Sequence, residues 1–154
     1  MQKVYLILGV YINLFISTLS YSFAYDLSLA DRYEISIIER LIIDSVQKEN
    51  PYVYVYSENK NKKKFFKQKI KKFAKNIKLT SKLHKADFII VLDMKKRKIL
   101  KKPALALDFE AVRYCLNCIG VFSWKNGRPN LTLFKENLEK LMIKLPEEYS
   151  YFIE

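Results

Sequence analysis

One histidine, three glycines, four prolines and two cysteines are all that this 154-residue chain holds of the residues that most often carry chemistry or punctuate a fold. Each scarcity excludes something. With His84 as the sole histidine, no Ser/His/Asp relay can be assembled, and a zinc site on the cysteines would want two further ligands. So few glycines leave no glycine-rich loop to wrap backbone amides around a phosphate. Few Pro and Gly beside 50% hydrophobic residues argue against disorder. Arginine, the better residue for shaped recognition of phosphate and carboxylate, is confined to Arg32, Arg40, Arg97, Arg113 and Arg128. Enzymatic function therefore has almost no positive support, and no catalytic residue, metal ligand or cofactor is assigned.

What is present begins with Lys3, an apolar run from Val4 to about Leu19, and Ser22-Phe23-Ala24 before a polar turn. This pattern reads as a secretory signal peptide, residues 1–24, with a positive start, a hydrophobic centre and small residues at the minus-three and minus-one positions. An uncleaved anchor is the competing reading, because a spanning helix needs only about 20 apolar residues. No Cys follows the run, so a lipid-anchored lipoprotein is not expected. Residues 25–154 are then a single exported domain, large enough to bury a core without relying on disulfides. Export to the periplasm removes ATP, NAD and nucleic acid from the ordinary partners.

The formal net charge is +12, or +11 without Lys3. Such an excess favours anionic surfaces. Most of it is lysine accompanied by abundant Ile, Asn, Phe and Tyr, which reads largely as compositional background.

Along the mature chain, Asp26 to Lys48 reads as a helix with Ile35, Ile38, Leu41, Ile42 and Val46 on one side. Asn50-Pro51 stops it. Tyr52 to Tyr56, all β-branched or aromatic, predicts a strand. Lys60 to Ile77 predicts a helix with a Phe66, Ile70, Phe73, Ala74, Ile77 stripe, and Ile77 to Leu79 can add a short strand. Phe88 to Leu92 has the continuous apolar character of a parallel-sheet interior, and Ala104 to Leu107 is a further buried strand. Ile119 to Trp124 and Leu131 to Phe134 flank Asn126-Gly127, the strongest short hairpin signal, while Pro129 puts the second arm at a sheet edge. A helix from about Lys135 to Lys144 closes the chain. The order predicts an α/β fold: a three-layer sandwich with a mixed, mostly parallel sheet and a C-terminal hairpin followed by a helix.

Polar residues follow three predicted strands: Ser57-Glu58-Asn59, Asp93, and Asp108 with Glu110. If the strands are parallel, Glu58, Asn59, Asp93 and Asp108 share the rim where open α/β sheets bind ligands, and could hold a cationic or hydroxyl-rich solute. Alternatively they cap the segments that follow. The acids do not form the pair that a phosphoacceptor domain carries after its first strand.

Cys115-Leu116-Asn117-Cys118 is the only chemical motif with a defined spacing. In an oxidising compartment the two thiols are expected to be bridged or to exchange with another disulfide. A static bridge, a labile one and a catalytic one remain open. Redox enzymes usually place the pair after a strand at a helix start, whereas this pair precedes a strand.

Lys60 to Lys82 contains eleven lysines and no acid. It can lie on anionic lipid, or pack its Phe stripe on the sheet and leave the lysines in water. His84, between lysines, reads as a surface residue.

From Tyr52 onward the chain resembles the YfiR-like family of exported α/β proteins. The residues that carry the likeness are Tyr52 to Tyr56, Ala86-Asp87-Phe88-Ile89-Ile90-Val91, Ala104-Leu105-Ala106-Leu107-Asp108, and Ile119-Gly120-Val121-Phe122 with Asn126-Gly127-Arg128, Leu131 and Asn137. It departs from the family in having one glycine where two are common, in lacking Trp-Pro after the first helix, and in its CxxC. The resemblance implies a non-catalytic periplasmic domain that restrains a membrane sensor, such as a diguanylate cyclase or histidine kinase, under control of disulfide state. Phe122, Trp124 and Arg128 are the expected partner contacts. The basic stretches Lys60–Lys78 and Lys95–Lys102 would hold the domain near an anionic membrane surface or steer it toward acidic loops of the partner. A small periplasmic solute-binding domain is the alternative, with a thiol oxidoreductase third. Oligomeric state is not legible.

Overall fold

The computed structural model describes residues 28–154. The expected leader, residues 1–24, and its junction with Tyr25 lie outside the described residues. The chain divides into two compact units, 1–34 and 35–154. Residues 28–46 are helical (α1); the described part of the first unit is the helical stretch 28–34, and the second unit opens with α1 from Ile35 onward. Ile35, Ile38, Leu41 and Ile42, three and four residues apart, are all at most 1% exposed. Gln47, in the left-handed region at φ 51°, ends α1 before Asn50-Pro51 is reached.

The sheet of this unit is β1 (Tyr52–Tyr56), β2 (Lys78–Leu79), β3 (Phe88–Val91), β4 (Ala104–Ala106), β5 (Cys118–Lys125) and β6 (Arg128–Leu133). Its order is β2-β1-β3-β4-β5-β6, parallel throughout except for the β5–β6 hairpin. The expected α/β class and mixed, mostly parallel sheet are what the chain forms. All four residues of β3 and all three of β4 are buried, as strands covered on both faces must be. In β1, Val53 and Val55 point into one core while Tyr54 and Tyr56 face the other side half-buried.

One face is covered by α1 from Ile35, α2 (Lys60–Phe73), α4 (Lys135–Lys140) and a 3-10 turn at Glu147–Phe152. The other is covered by α3 (Phe109–Val112), by Met94 and Leu100 of the segment after β3, and by the cysteine turn. Helix α2 stops at Phe73, short of the expected Ile77, for a definable reason. The buried Glu39 carboxylate of α1 accepts hydrogen bonds from the backbone N–H groups of Lys75 (2.8 Å) and Asn76, which diverts the chain toward β2. The closing helix is likewise shorter than expected, because Met142 takes a positive φ of 54°. Neither the short α3 nor the C-terminal 3-10 turn is anticipated by apolar periodicity, since each is too short to show one.

A register shift between Ala104 and Leu105 places a bulge in β5 opposite them. The extra residue, Ile119, shifts the alternation along β5, so that Cys118 and Val121 both face the α3 side while Ile119 and Phe122 face the α1 side.

Candidate functional site

Because β1, β3 and β4 run parallel, Glu58, Asn59, Asp93 and Asp108 do share one rim. The strand order reverses between β1 and β3, the place where open sheets take ligands. There the polar groups are turned on one another. Ser57 Oγ donates to Asp93 Oδ2 (2.5 Å), Glu58 N–H to Asp93 Oδ1 (2.7 Å), and Lys95 N–H to Glu58 Oε1 (3.1 Å). Asn59 Oδ1 caps α2 by accepting from Asn61 and Lys62, and Asp108 Oδ1 caps α3 by accepting from Glu110. Burial, and then the charges of Glu58, Tyr54 and Asp93, push the nearby Tyr56 phenol up. A solute entering this crevice would have to displace bonds that hold the loops. Among the described residues no three His, Cys, Asp or Glu side chains converge as a metal site would require.

The disulfide joins Cys115 and Cys118 directly after α3, with Cys118 opening β5. Both sulfur-bearing residues are buried, at 3% and 0% exposure, in the cluster with Ala104, Ala111 and Val121. Such burial gives a second thiol no route to either sulfur unless the turn opens. Between them Asn117, 4% exposed, accepts from Leu100 N–H (2.9 Å) and donates its amide N–H to the Leu100 carbonyl. The sequence hides this brace, for Asn within a CxxC reads only as a turn residue.

The hairpin opens onto a cleft. Asn126 (φ 51°) and Gly127 (φ 72°) adopt the paired positive values of a type I′ turn, and Lys125 faces Arg128 across it. Trp124 is 39% exposed and meets the buried Phe122 edge to face, with ring centroids 6.2 Å apart. Phe122, at 1% exposure, is a core residue with almost no surface to offer a partner, whereas Trp124 and Arg128 lie open. Beside them is a cleft of about 410 Å³ lined chiefly by Ile37, Phe122, Pro129, Leu131, Tyr149 and Phe152. The exposed Arg40–Glu148 ion pair (2.8 Å) also lines it. Tyr149 Oη donates to Asp44 Oδ2 (2.6 Å); burial first, then that bond and the Asp44 charge, hold the phenol far above its usual range, so it remains a neutral donor. The charge of Glu148, and then that of Asp44, in turn raises the Arg40 guanidinium.

Strand β6 is the outer edge of the sheet. Ile153 bridges only its last residue, Leu133, and Pro129 marks the open part. The cleft therefore runs beside a strand that is paired on one side only. Ile37, Arg40 and the aromatic residues of the C-terminal turn were not legible as contributors; Pro146 ahead of Tyr149, Tyr151 and Phe152 was the signal available.

Helix α2 buries Phe66 and Ile70 and leaves its lysines outward, and Lys95 to Lys98 with Lys101 form a second exposed basic stretch. Among the described residues no helix is long and apolar enough to cross a membrane.

No protein-family model matches this chain. A comparison with curated proteins also finds no match. Among solved structures, the crystal structure of a conserved domain protein from Vibrio cholerae O1 biovar El Tor str. N16961 is similar over 77% of this chain, at 11% identity and a TM-score of 0.49. The similar region spans 58% of that protein, less than two thirds of its length.

Proposed function

We propose that this chain is a non-enzymatic periplasmic regulatory protein that docks on the outer part of a membrane sensor, as its resemblance to the YfiR-like family implies. The observation that carries the reading is the apolar cleft along β6, open beside an exposed tryptophan. Large aromatic anchors dominate interface energies, and an apolar surface of this kind on an otherwise lysine-covered protein is where a protein partner gains affinity that charge alone does not supply. Trp124, Phe152 and the Leu131 wall would bury against the partner, and Arg128 would sit at the rim. The lysines of α2 would steer the domain toward an anionic membrane surface or acidic loops, an effect that weakens as salt rises. The disulfide supports residence in an oxidising compartment, in keeping with the leader expected at residues 1–24.

The test is capture of partners from detergent-solubilised membranes on the tagged protein. Recovery of a sensor kinase or cyclase that disappears with Trp124→Ala or Phe152→Ala, both exposed enough to leave the fold intact, is the expected result. Tight binding of a small solute with no membrane partner would replace this reading with that of a solute-binding domain.

A further inference from the structure

On the opposite face of the sheet from the β6 cleft lies a second concavity of about 520 Å³, within the usual range for small-molecule sites. Its floor is Ile89 of β3, which shares a face with Tyr54 and Ala104 by register. One wall is Lys98 to Lys102, and the other is Leu83 and His84 of the 3-10 turn Leu83–Lys85. The wall exists because β4 offers only Ala104 and Ala106 to this face, letting Met94 and Leu100 pack down on the sheet.

Three features set this concavity apart. First, the walls are built rather than loose. Lys98 N–H donates to the Tyr114 carbonyl (2.9 Å), Asn117 grips both backbone groups of Leu100, and Ile89 N–H donates to the Pro103 carbonyl (2.9 Å). The far wall closes through Ala86 N–H to the Leu83 carbonyl (3.2 Å). Second, its lining is apolar at the bottom yet carries Lys98, Lys101 and Lys102. Among the described residues, none of the three has an acidic partner within ion-pairing distance; Asp87, whose ionisation feels the charge of Lys102, is already held by Lys48 and the Tyr52 N–H. Third, Ile99 stands 69% exposed and Leu83 37% exposed at the mouth, an arrangement that costs free energy unless an apolar group covers them.

We infer that this cleft binds a small amphiphilic anion: an apolar chain or ring on Ile89, Leu83 and Ile99, with one carboxylate, sulfate or phosphate head among the three lysines. An inorganic anion would waste the apolar floor, and a neutral apolar ligand would leave three ammonium groups unmatched. A flat lipid surface would not reach Ile89 at the bottom of a concave site. The occupant is therefore a free amphiphile. Lys98, whose ammonium also sits 5.2 Å from the Tyr56 ring centroid, is placed to move between the aromatic face and the bound head. This inference stands independently of the partner reading, whose cleft is on the other face.

Dodecanoate at submicellar concentration is the probe, measured by calorimetry on the purified protein. Saturable one-site binding is expected, with no binding of acetate, which lacks the tail, or of dodecyltrimethylammonium, which reverses the head. Lys98→Gln, Lys101→Gln and Lys102→Gln together should weaken dodecanoate by about tenfold or more. The same loss of charge on α2, Lys62→Gln, Lys64→Gln and Lys67→Gln, should leave it within about twofold, separating a site from general basicity. Methyl resonances of Ile89, Ile99 and Leu83 in the unaltered protein should shift on titration, a readout that survives if the triple variant folds poorly. Equal binding of the cationic amphiphile, equal weakening by both triple variants, shifts elsewhere than these methyls, or binding only to vesicles of anionic lipid and not to free dodecanoate would each overturn the inference.

Discussion

On one face of the sheet, α1 from Ile35, α2, α4 and the C-terminal turn bury a core running from Ile35 through Phe88 and Phe122 to Tyr149; on the other, a four-residue helix, one loop and a disulfide turn cover Ile89, Val91, Ala104 and Ala106. The first face is held by apolar area. The second has little area to offer, since β4 contributes only methyl groups, and it substitutes specific bonds: the Cys115–Cys118 bridge, the Asn117 brace on Leu100 and the Lys98–Cys115 bridge. The difference teaches where each property resides. Area buried by helices sets the global stability, whereas a cover made of a few bonds opens locally and at lower cost. The face with the thinner cover carries the concave, lysine-lined site, and the thickly covered face carries the apolar cleft along β6.

The largest way to break this comparison is through Gly120, on the heavily covered side of β5. A Cβ there would lie 2.3 Å from the Thr132 carbonyl oxygen and 2.8 Å from Leu133 Cδ2, so β6 must move. Gly120→Ala should cost about 3 kcal/mol in denaturant unfolding, with cooperative loss of the whole domain. A variant that unfolds with unchanged midpoint would show that the hairpin is not part of the main cooperative unit.

Next comes the bridge. Cys115→Ser with Cys118→Ser should cost about 2 kcal/mol, the loop-closure contribution of so short a loop. The effect should be local: in hydrogen exchange the Leu100, Leu116 and Lys98 amides lose protection while those of Ile38 and Leu41 keep theirs. Equal loss in α1 under native conditions would show that the two faces open together.

Much of this architecture was readable in advance, and the reasons differ from element to element. Phe88 to Val91 announced itself because a strand covered twice must be apolar at every position, and Asn126-Gly127 because few residue pairs tolerate two positive φ values. The rim acids lie on one edge because parallel strands align their carboxyl ends, and capping was one of the two readings the sequence offered; that Ser57 and Glu58 bond to Asp93 follows from distances the sequence does not contain. Both clefts escaped sequence reading for one physical reason. Each is assembled from segments far apart in the chain, Ile37 with Phe152 in one and Leu83 with Lys101 in the other, and neither has a periodicity or spacing to betray it.

A smaller effect belongs to the turn itself, which neither core covers. Gly127 has φ 72° and open space where a side chain would stand, so a substitution there tests backbone conformation alone. Gly127→Val should cost about 1 kcal/mol, and Gly127→Asn should recover most of it, because Asn tolerates the left-handed region. An unchanged melting temperature for the valine variant would remove the positive-φ requirement.

The smallest expected effect concerns Asp87, whose Oδ2 accepts from Lys48 Nζ (2.8 Å) just after α1 and from Tyr52 N–H (2.7 Å) at the start of β1. It ties the helical cover to the sheet by charge rather than by area. Burial by itself would push this carboxyl up, but the Lys48 hydrogen bond, the Tyr52 N–H and the charges of Lys48 and Lys102 outweigh it and hold the carboxyl below the usual range. A depressed carboxyl contributes stability that is present above its unfolded pKa of about 3.9 and is lost as pH falls through the folded value. Asp87→Asn keeps an acceptor for the Tyr52 N–H and removes only the charge. At neutral pH it should therefore cost about 0.5 kcal/mol, the scale of a partly exposed ion pair, and the gap to the unaltered protein should close below pH 4. Denaturant melts of both proteins between pH 7 and pH 3 would measure this. A gap that persists or widens in acid would mean that the carboxylate acts through packing at the α1–β1 joint, and that the thickly covered face owes nothing there to electrostatics.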